Sequence, residues 1–317
     1  MASTVSTIAT GVDTILAPAS RKETIDERLR QFTKFLFDPN EFTVFGRSLR
    51  AWAETILFKT VFLVCVIGFL AGMCAILYEI LDWNYPSLIG ADSILRGNPG
   101  LGFRPMPDVG TTLIRFEKSD PTTYTMHIDN IESYLQYYEN QNQVTETGTI
   151  IDCDGDGYKE GRPKDEWDKA CRFDITTQLG ADCVKQQAFG FEDGQPCILL
   201  KINKIFAWMP EEYTNETVPD SIRGHWSQYF VTVDCYGEND SDKDNMGALT
   251  YYPSMGFHYK YFPFRNQQGY RSPLVFVRFE NPTPGVLLMV ACKIHAKNIY
   301  HNYMEKAGMV HFELLVD

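Results

Sequence analysis

The 317-residue sequence predicts a single-span membrane protein whose C-terminal side folds as an antiparallel β-sandwich with one amphipathic helix. Three observations lead there. Residues 60–78 read TVFLVCVIGFLAGMCAILY, nineteen positions without a charge. Five later segments rich in β-branched and aromatic residues are separated by Pro/Gly/Asn turns. Every cysteine outside the apolar run lies beyond it.

The span comes first. A nineteen-residue helix is about 28 Å long, close to the hydrocarbon thickness of a bilayer. A buried core helix would show a polar stripe, and this segment has none. It is not a cleaved leader, because 59 residues precede it and the run is too long. Arg47, Arg50 and Lys59 lie just before it; Glu79, Asp82 and Asp92 follow, opposed by Arg96 alone. The positive-inside rule then places the N-terminus in the cytoplasm, a type II orientation. Gly68 and Gly72, extended by Ala75, form a small-residue face that lets a second helix approach closely.

The predicted divisions are a cytoplasmic tail (1–59), the span (60–78), a lead-in (79–124) and the main ectodomain (125–317). With 44% hydrophobic and 14% aromatic residues, a real core can form. Net charge is −12, which argues against nucleic-acid binding. The tail is near neutral, with 8 basic and 7 acidic residues, so the remaining 21 basic and 34 acidic put the acidity on the far side of the membrane.

Cys65 and Cys74 are within the span. Cys153, Cys171, Cys183, Cys197, Cys235 and Cys292 lie beyond it, an even set that reads as three disulfides in an oxidising compartment. Fifteen pairings are open to six cysteines. Asn215-Glu-Thr and Asn239-Asp-Ser are usable glycosylation sequons, whereas Asn281-Pro-Thr is blocked by its proline.

Within the ectodomain, GNPGLGFRPMPD (97–108) reads as an extended lead. Residues 125–140 place Ile128, Ile131, Leu135 and Tyr138 on one helical face. Strand-like segments follow at 197–208, 229–236, 274–280, 285–296 and 309–317. With no helices between them they argue an antiparallel sandwich, in which a Cys235–Cys292 bridge would join two strands across the core.

Catalytic machinery is absent from the pattern: no phosphate-binding glycine loop, nucleophile elbow, C-x-x-C or histidine pair at ligand spacing. No metal ligands are assigned. The one suggestive stretch is IDCDGDGYKEGRP (151–163), with Asp152, Asp154 and Asp156 before Gly157. A helix–loop–helix calcium site needs a bidentate Glu at the twelfth position, which here is Pro163; Glu160 stands at the ninth. The loop reads as an acidic surface loop. Its Asp-x-Asp pairs also suit a lumenal sugar transferase, but such enzymes alternate strands and helices, and this chain does not. A cell-surface adhesion protein is the other alternative.

The chain resembles the β subunits of the sodium/potassium-transporting ATPase, with the proton/potassium pump β subunit as close kin. The resemblance rests on FGRSLRAW (45–52), GFLAG (68–72), PGLGFRP (99–105), FGFEDGQPCILLKINKIFAWMP (189–210), ACKIHAKNI (291–299), the closing FELLVD and the six-cysteine spacing. It implies an immunoglobulin-like sandwich and the pairings Cys153–Cys171, Cys183–Cys197 and Cys235–Cys292. It also implies a non-catalytic plasma-membrane glycoprotein with no cofactor of its own beyond N-glycans. Its partner would be a catalytic P-type ATPase α chain, which binds Mg-ATP, Na⁺ and K⁺; the β chain supports its folding, exit from the endoplasmic reticulum and stability, and modulates potassium transport. A small single-span regulatory subunit and membrane lipids are further partners the resemblance admits. Expected α contacts are Trp52, Gly68, Gly72 and the segment Tyr261-Phe262-Pro263-Phe264. Two departures stand out. Leu63 and Ile67 occupy positions where the family often has tyrosines, and the family's Tyr-Tyr-Pro-Tyr-Tyr-Gly-Lys reads here Tyr261-Phe262-Pro263-Phe264-Arg265.

Overall fold

The computed structural model describes residues 25–317, apart from positions 40, 95, 144–147 and 255; most of the first half of the expected tail therefore lies outside the described residues. The chain divides into two units, one ending at Leu81 and one spanning Asp82–Asp317.

In the first unit, helix α1 (Ile25–Leu36) leads into three two-residue strands and then helix α2 (Leu49–Ile80). The 32 residues of α2 extend about 48 Å, well beyond a hydrocarbon core of about 30 Å. The helix starts eleven residues before the apolar run because nothing between Leu49 and Thr60 breaks it: Arg50, Ala51, Ala53, Glu54, Leu57 and Lys59 are all good helix formers. Ser48 caps it, its hydroxyl accepting from the Ala51 amide. No residue of α2 is buried, and among the described residues it is the one helix long and apolar enough to cross a membrane.

The second unit is β-rich. Strands β1 (Leu101–Arg104) and β2 (Leu113–Phe116) come before helix α3 (Pro121–Leu135). Then follow β3 (Cys197–Ile202), β4 (Phe230–Gly237), β5 (Ala248–Tyr252), β6 (Phe257–His258), β7 (Leu274–Glu280), β8 (Leu287–His295) and β9 (Met309–Val316). One sheet has the order β5-β7-β3-β1, wholly antiparallel. The other has the order β6-β4-β8-β9-β2. Its last pair is parallel, which departs from the expected all-antiparallel pairing. A hairpin forces antiparallel neighbours, but β2 and β9 lie far apart in the chain and are free of that constraint.

Phe276 and Phe279, three apart on β7, face opposite sides of their sheet, as the two-residue strand period requires. Phe279 and Phe103 meet Phe312 of the other sheet, at ring-centroid distances of 6.2 and 5.1 Å. Phe276 instead meets Phe189, in a layer of short turns and α3 that covers the outer face. The central strands are accordingly buried on both sides rather than alternating. Helix α3 begins four residues earlier than expected. Asp120 accepts from the Thr122 amide and Pro121 takes the first helical position, both strong start signals. The helix buries Tyr124, His127 and Ile131 and gives way to a single tight turn carrying Tyr138.

The disulfides are Cys153–Cys171, Cys183–Cys197 and Cys235–Cys292. The last does not cross the core, contrary to expectation: Cys235 and Cys292 are register partners on the neighbouring strands β4 and β8. The bridge staples one sheet internally.

A charged cluster straddles strand β8 of that sheet. His311 on β9 has Nδ1 2.6 Å from Glu238 and Nε2 2.8 Å from Glu313. Burial opposes the imidazolium, but hydrogen bonds to Glu313 and Glu238 outweigh it and hold the His311 pKa above 6.5. A raised folded-state value stabilises fully below the unfolded pKa and fades as pH climbs through the folded one. The melting gap between native protein and His311→Gln should thus be widest at pH values below the free imidazole range and narrow as pH rises through the raised folded-state value. A gap independent of pH would show that the imidazolium contributes nothing.

Candidate functional site

The expected contact segment begins in a one-turn 3-10 helix, Tyr259–Tyr261. His258 opens the turn, its Nδ1 accepting from the Lys260 amide at 2.9 Å. Only a neutral ring can accept there, and burial, followed by the Lys260 charge, lowers the His258 pKa to about 4.

The aromatic side chains then divide. Tyr261 is buried against Phe173 at 5.4 Å, and burial pushes its hydroxyl pKa up. Phe262 is buried edge-on to Trp208 at 5.2 Å. The Phe262–Pro263 peptide is cis. Phe264 and Arg265 are only partly covered, and Asn266 is exposed. Tyr261 and Phe262 therefore anchor the segment, while Phe264 and Arg265 present its outward face.

Residues both far along the chain and close by fix this shape. The Pro263 carbonyl accepts from Arg162 Nη2 at 2.8 Å and from Gln267 Nε2 at 2.9 Å. The Phe264 carbonyl accepts from the Ala207 amide at 2.7 Å. Lys204 Nζ lies 5.1 Å from the Phe264 ring centroid and 5.2 Å from that of Tyr270. Burial lowers the Lys204 pKa, with Lys201 and Arg271 adding to the effect. Arg265 lies over Tyr85 and Trp167. The result is a rigid aromatic surface edged by cations. Phe264, Lys204, Phe206 and Tyr85 also line a cavity of about 500 Å³. No local pattern singles out Arg162 or Lys204, because each meets the segment through tertiary folding.

The acidic loop is part of the same support. Lys260 Nζ donates to the Cys153 carbonyl at 2.9 Å and to Asp154 at 3.1 Å. Asp152 pairs with Arg172 at 2.6 Å, and Asp156 with Lys159 at 2.7 Å. The three carboxylates are thus divided among three cations rather than converging on one point. Among the described residues no group of three or more His, Cys, Asp or Glu side chains could hold a metal ion.

The other expected site residues lie elsewhere. Asn215 and Asn239 are exposed. Asn239 also caps the short helix Asp240–Asn245 through Oδ1, leaving Nδ2 uncommitted to that bond. Trp52 is half-buried and donates to the Val44 carbonyl at 2.7 Å. A methyl group added at Gly68 or Gly72 would meet nothing within 4 Å, so that face of α2 is open in this chain.

Comparison with known proteins identifies the family. The family model described as "Sodium / potassium ATPase beta chain" matches residues 22–312. The chain is 34% identical over 299 residues to sodium/potassium-transporting ATPase subunit beta-1 of Drosophila melanogaster, covering 90% of this chain and 93% of that one. It is 33% identical over 310 residues to subunit beta-2 of the same fly, covering 91% and 92%. It is 30% identical over 290 residues to the probable subunit beta-3 of Caenorhabditis briggsae, covering 90% and 86%. The match runs through the apolar helix and the disulfide-linked β-rich unit alike: this chain belongs to the sodium/potassium ATPase beta-chain family, in a non-catalytic accessory role.

Proposed function

We propose that the chain is the β subunit of a sodium/potassium-transporting ATPase, bound to a catalytic α chain at the plasma membrane. On this reading it supports α folding, export from the endoplasmic reticulum and stability, and it tunes potassium transport. The ectodomain is an immunoglobulin-like sandwich on the extracellular side, glycosylated at Asn215 and Asn239. Mg-ATP, sodium and potassium belong to the partner. The observation that carries the proposal is the family match, continuous from the helix through the ectodomain. The open Gly68/Gly72 face supports helix-to-helix contact in the membrane, with Trp52 near its start. The exposed side of the segment 261–265 supports contact outside it.

Affinity purification of the full chain in mild detergent is expected to bring down a P-type ATPase chain in equal amount. Its ATP hydrolysis should need both sodium and potassium and stop with a cardiac glycoside. Recovery of the chain alone would sink the proposal. Because Tyr261 and Phe262 are interior, alanine there tests folding more than contact. Phe264→Ala with Arg265→Glu is the discriminating variant, and it should weaken partner recovery about tenfold, equivalent to ~1.4 kcal/mol. Orientation has its own test. The chain from cells should shift on endoglycosidase treatment, and Asn215→Gln with Asn239→Gln should abolish the shift. An unshifted native chain would argue against a lumenal C-terminus.

A further inference from the structure

We infer that α1 is an interfacial helix, lying on the bilayer leaflet at the N-terminal side of the span with its apolar face among the lipid headgroups and upper acyl chains. The inference does not depend on the identity of the partner chain.

The first observation is a surface that water would not tolerate well. Leu29 and Phe32 on α1 are each more than half exposed, and Leu36 continues their helical face one turn on. Phe35, Phe42 and Phe45, which flank this face, are also more than half exposed. Soluble surfaces scatter such residues singly, whereas a contiguous set marks a contact face. On a helical projection Glu27, Arg30, Gln31 and Lys34 fall on the opposite side, and Arg28 sits beside the apolar face between Phe32 and Phe35, where a long side chain can reach up to the headgroups. Apolar aromatics on one face and charge on the other are the pattern of a helix lying in a membrane interface.

The second observation is a set of contacts that fixes α1 relative to α2 within one unit. The Phe45 amide donates to the Leu36 carbonyl at 3.1 Å, and the Phe35 and Phe45 rings meet edge-on at 6.2 Å. Trp52 Nε1 then donates to the Val44 carbonyl, and Arg47 donates to Thr55. The short strands at 37–48 are therefore clamped to the first turns of α2. Trp52 lies one turn before Ile56, where the exposed apolar surface of α2 becomes continuous, a separation of about 6 Å along the axis. That is interfacial depth, where tryptophan is enriched. The same clamp carries α1, so the membrane that covers α2 also reaches the apolar face of α1.

Charge does not select the lipid. Residues 25–59 hold six basic and five acidic side chains, so apolar burial and not attraction to anionic headgroups drives the contact. The occupant is accordingly the bilayer surface itself, including zwitterionic lipid.

The test places a photoreactive benzoyl-phenylalanine in the full chain, singly at Phe32, Phe42 or Gln31, and irradiates native membranes before solubilisation. Mass spectrometry then reads the adducts. We expect phosphatidylcholine adducts at 32 and 42 at least five times more abundant than at 31. The substituted positions are exposed, and correct disulfides in the ectodomain provide the folding control. Equal lipid labelling at all three positions would overturn the inference. So would cross-links at 32 and 42 that run mainly to a second protein chain, since the face would then belong to a partner.

Discussion

Replacing Cys235 and Cys292 together with serine is expected to cost the ectodomain more than loss of either other disulfide. The bridge closes a 57-residue separation, against 18 for Cys153–Cys171 and 14 for Cys183–Cys197. In the chain-entropy account the longer loop removes more freedom from the unfolded state: about 4 kcal/mol, against about 3 kcal/mol for each short loop. The native state loses little in return. Both sulfurs are buried between β4 and β8, whose backbone ladder holds the register without them. For a domain of this size about 4 kcal/mol lowers the melting midpoint by roughly 8–16 °C. Thermal unfolding of the purified full chain, native against double serine, reads this directly. A smaller drop than that of Cys183→Ser with Cys197→Ser would refute the loop-length ranking. Single serine variants should fare worse than the double one, because each leaves a lone thiol free to pair wrongly.

How much of this was legible beforehand follows from which forces are local. The long apolar helix was legible because a helix able to cross lipid needs length and an unbroken apolar surface, and both are written in consecutive residues. The strands of the two sheet centres, such as 274–280, were legible as apolar runs for the same reason. Edges were not. β1 and β2 are only four residues long, β1 inside a Pro/Gly-rich stretch, and β5 is half-buried, so none carries a strong run. The parallel β2–β9 pair and the in-sheet position of Cys235–Cys292 depend on which strands meet, and spacing along the chain does not encode that. The contact segment shows the same limit. Its aromatics were visible, but Tyr261 and Phe262 face inward because Phe173 and Trp208 wait there, and the carbonyl between them and Phe264 is held by Arg162, 101 residues away.

Phe312→Ala is the substitution expected to damage the core most. The ring is fully buried on β9 and is where the two sheets meet, stacked on Phe103 and edge-on to Phe279. Truncation removes its transfer free energy and leaves a cavity that two hydrogen-bonded sheets cannot collapse to fill, a cost of about 3–5 kcal/mol. Leu287→Ala on the adjacent strand β8 is the counterpart. That side chain is 47% exposed, so the change should stay within about 0.5 kcal/mol. The pair separates loss of sheet packing from loss of apolar content in general. A double-mutant cycle carries the argument further. If Phe103 and Phe312 join the sheets as a stacked pair, Phe103→Ala should cost less in the Phe312→Ala background than in the native one, by about 1 kcal/mol. Strict additivity would mean that the rings only share a core, and that the sheets are held together by the surrounding aliphatic side chains.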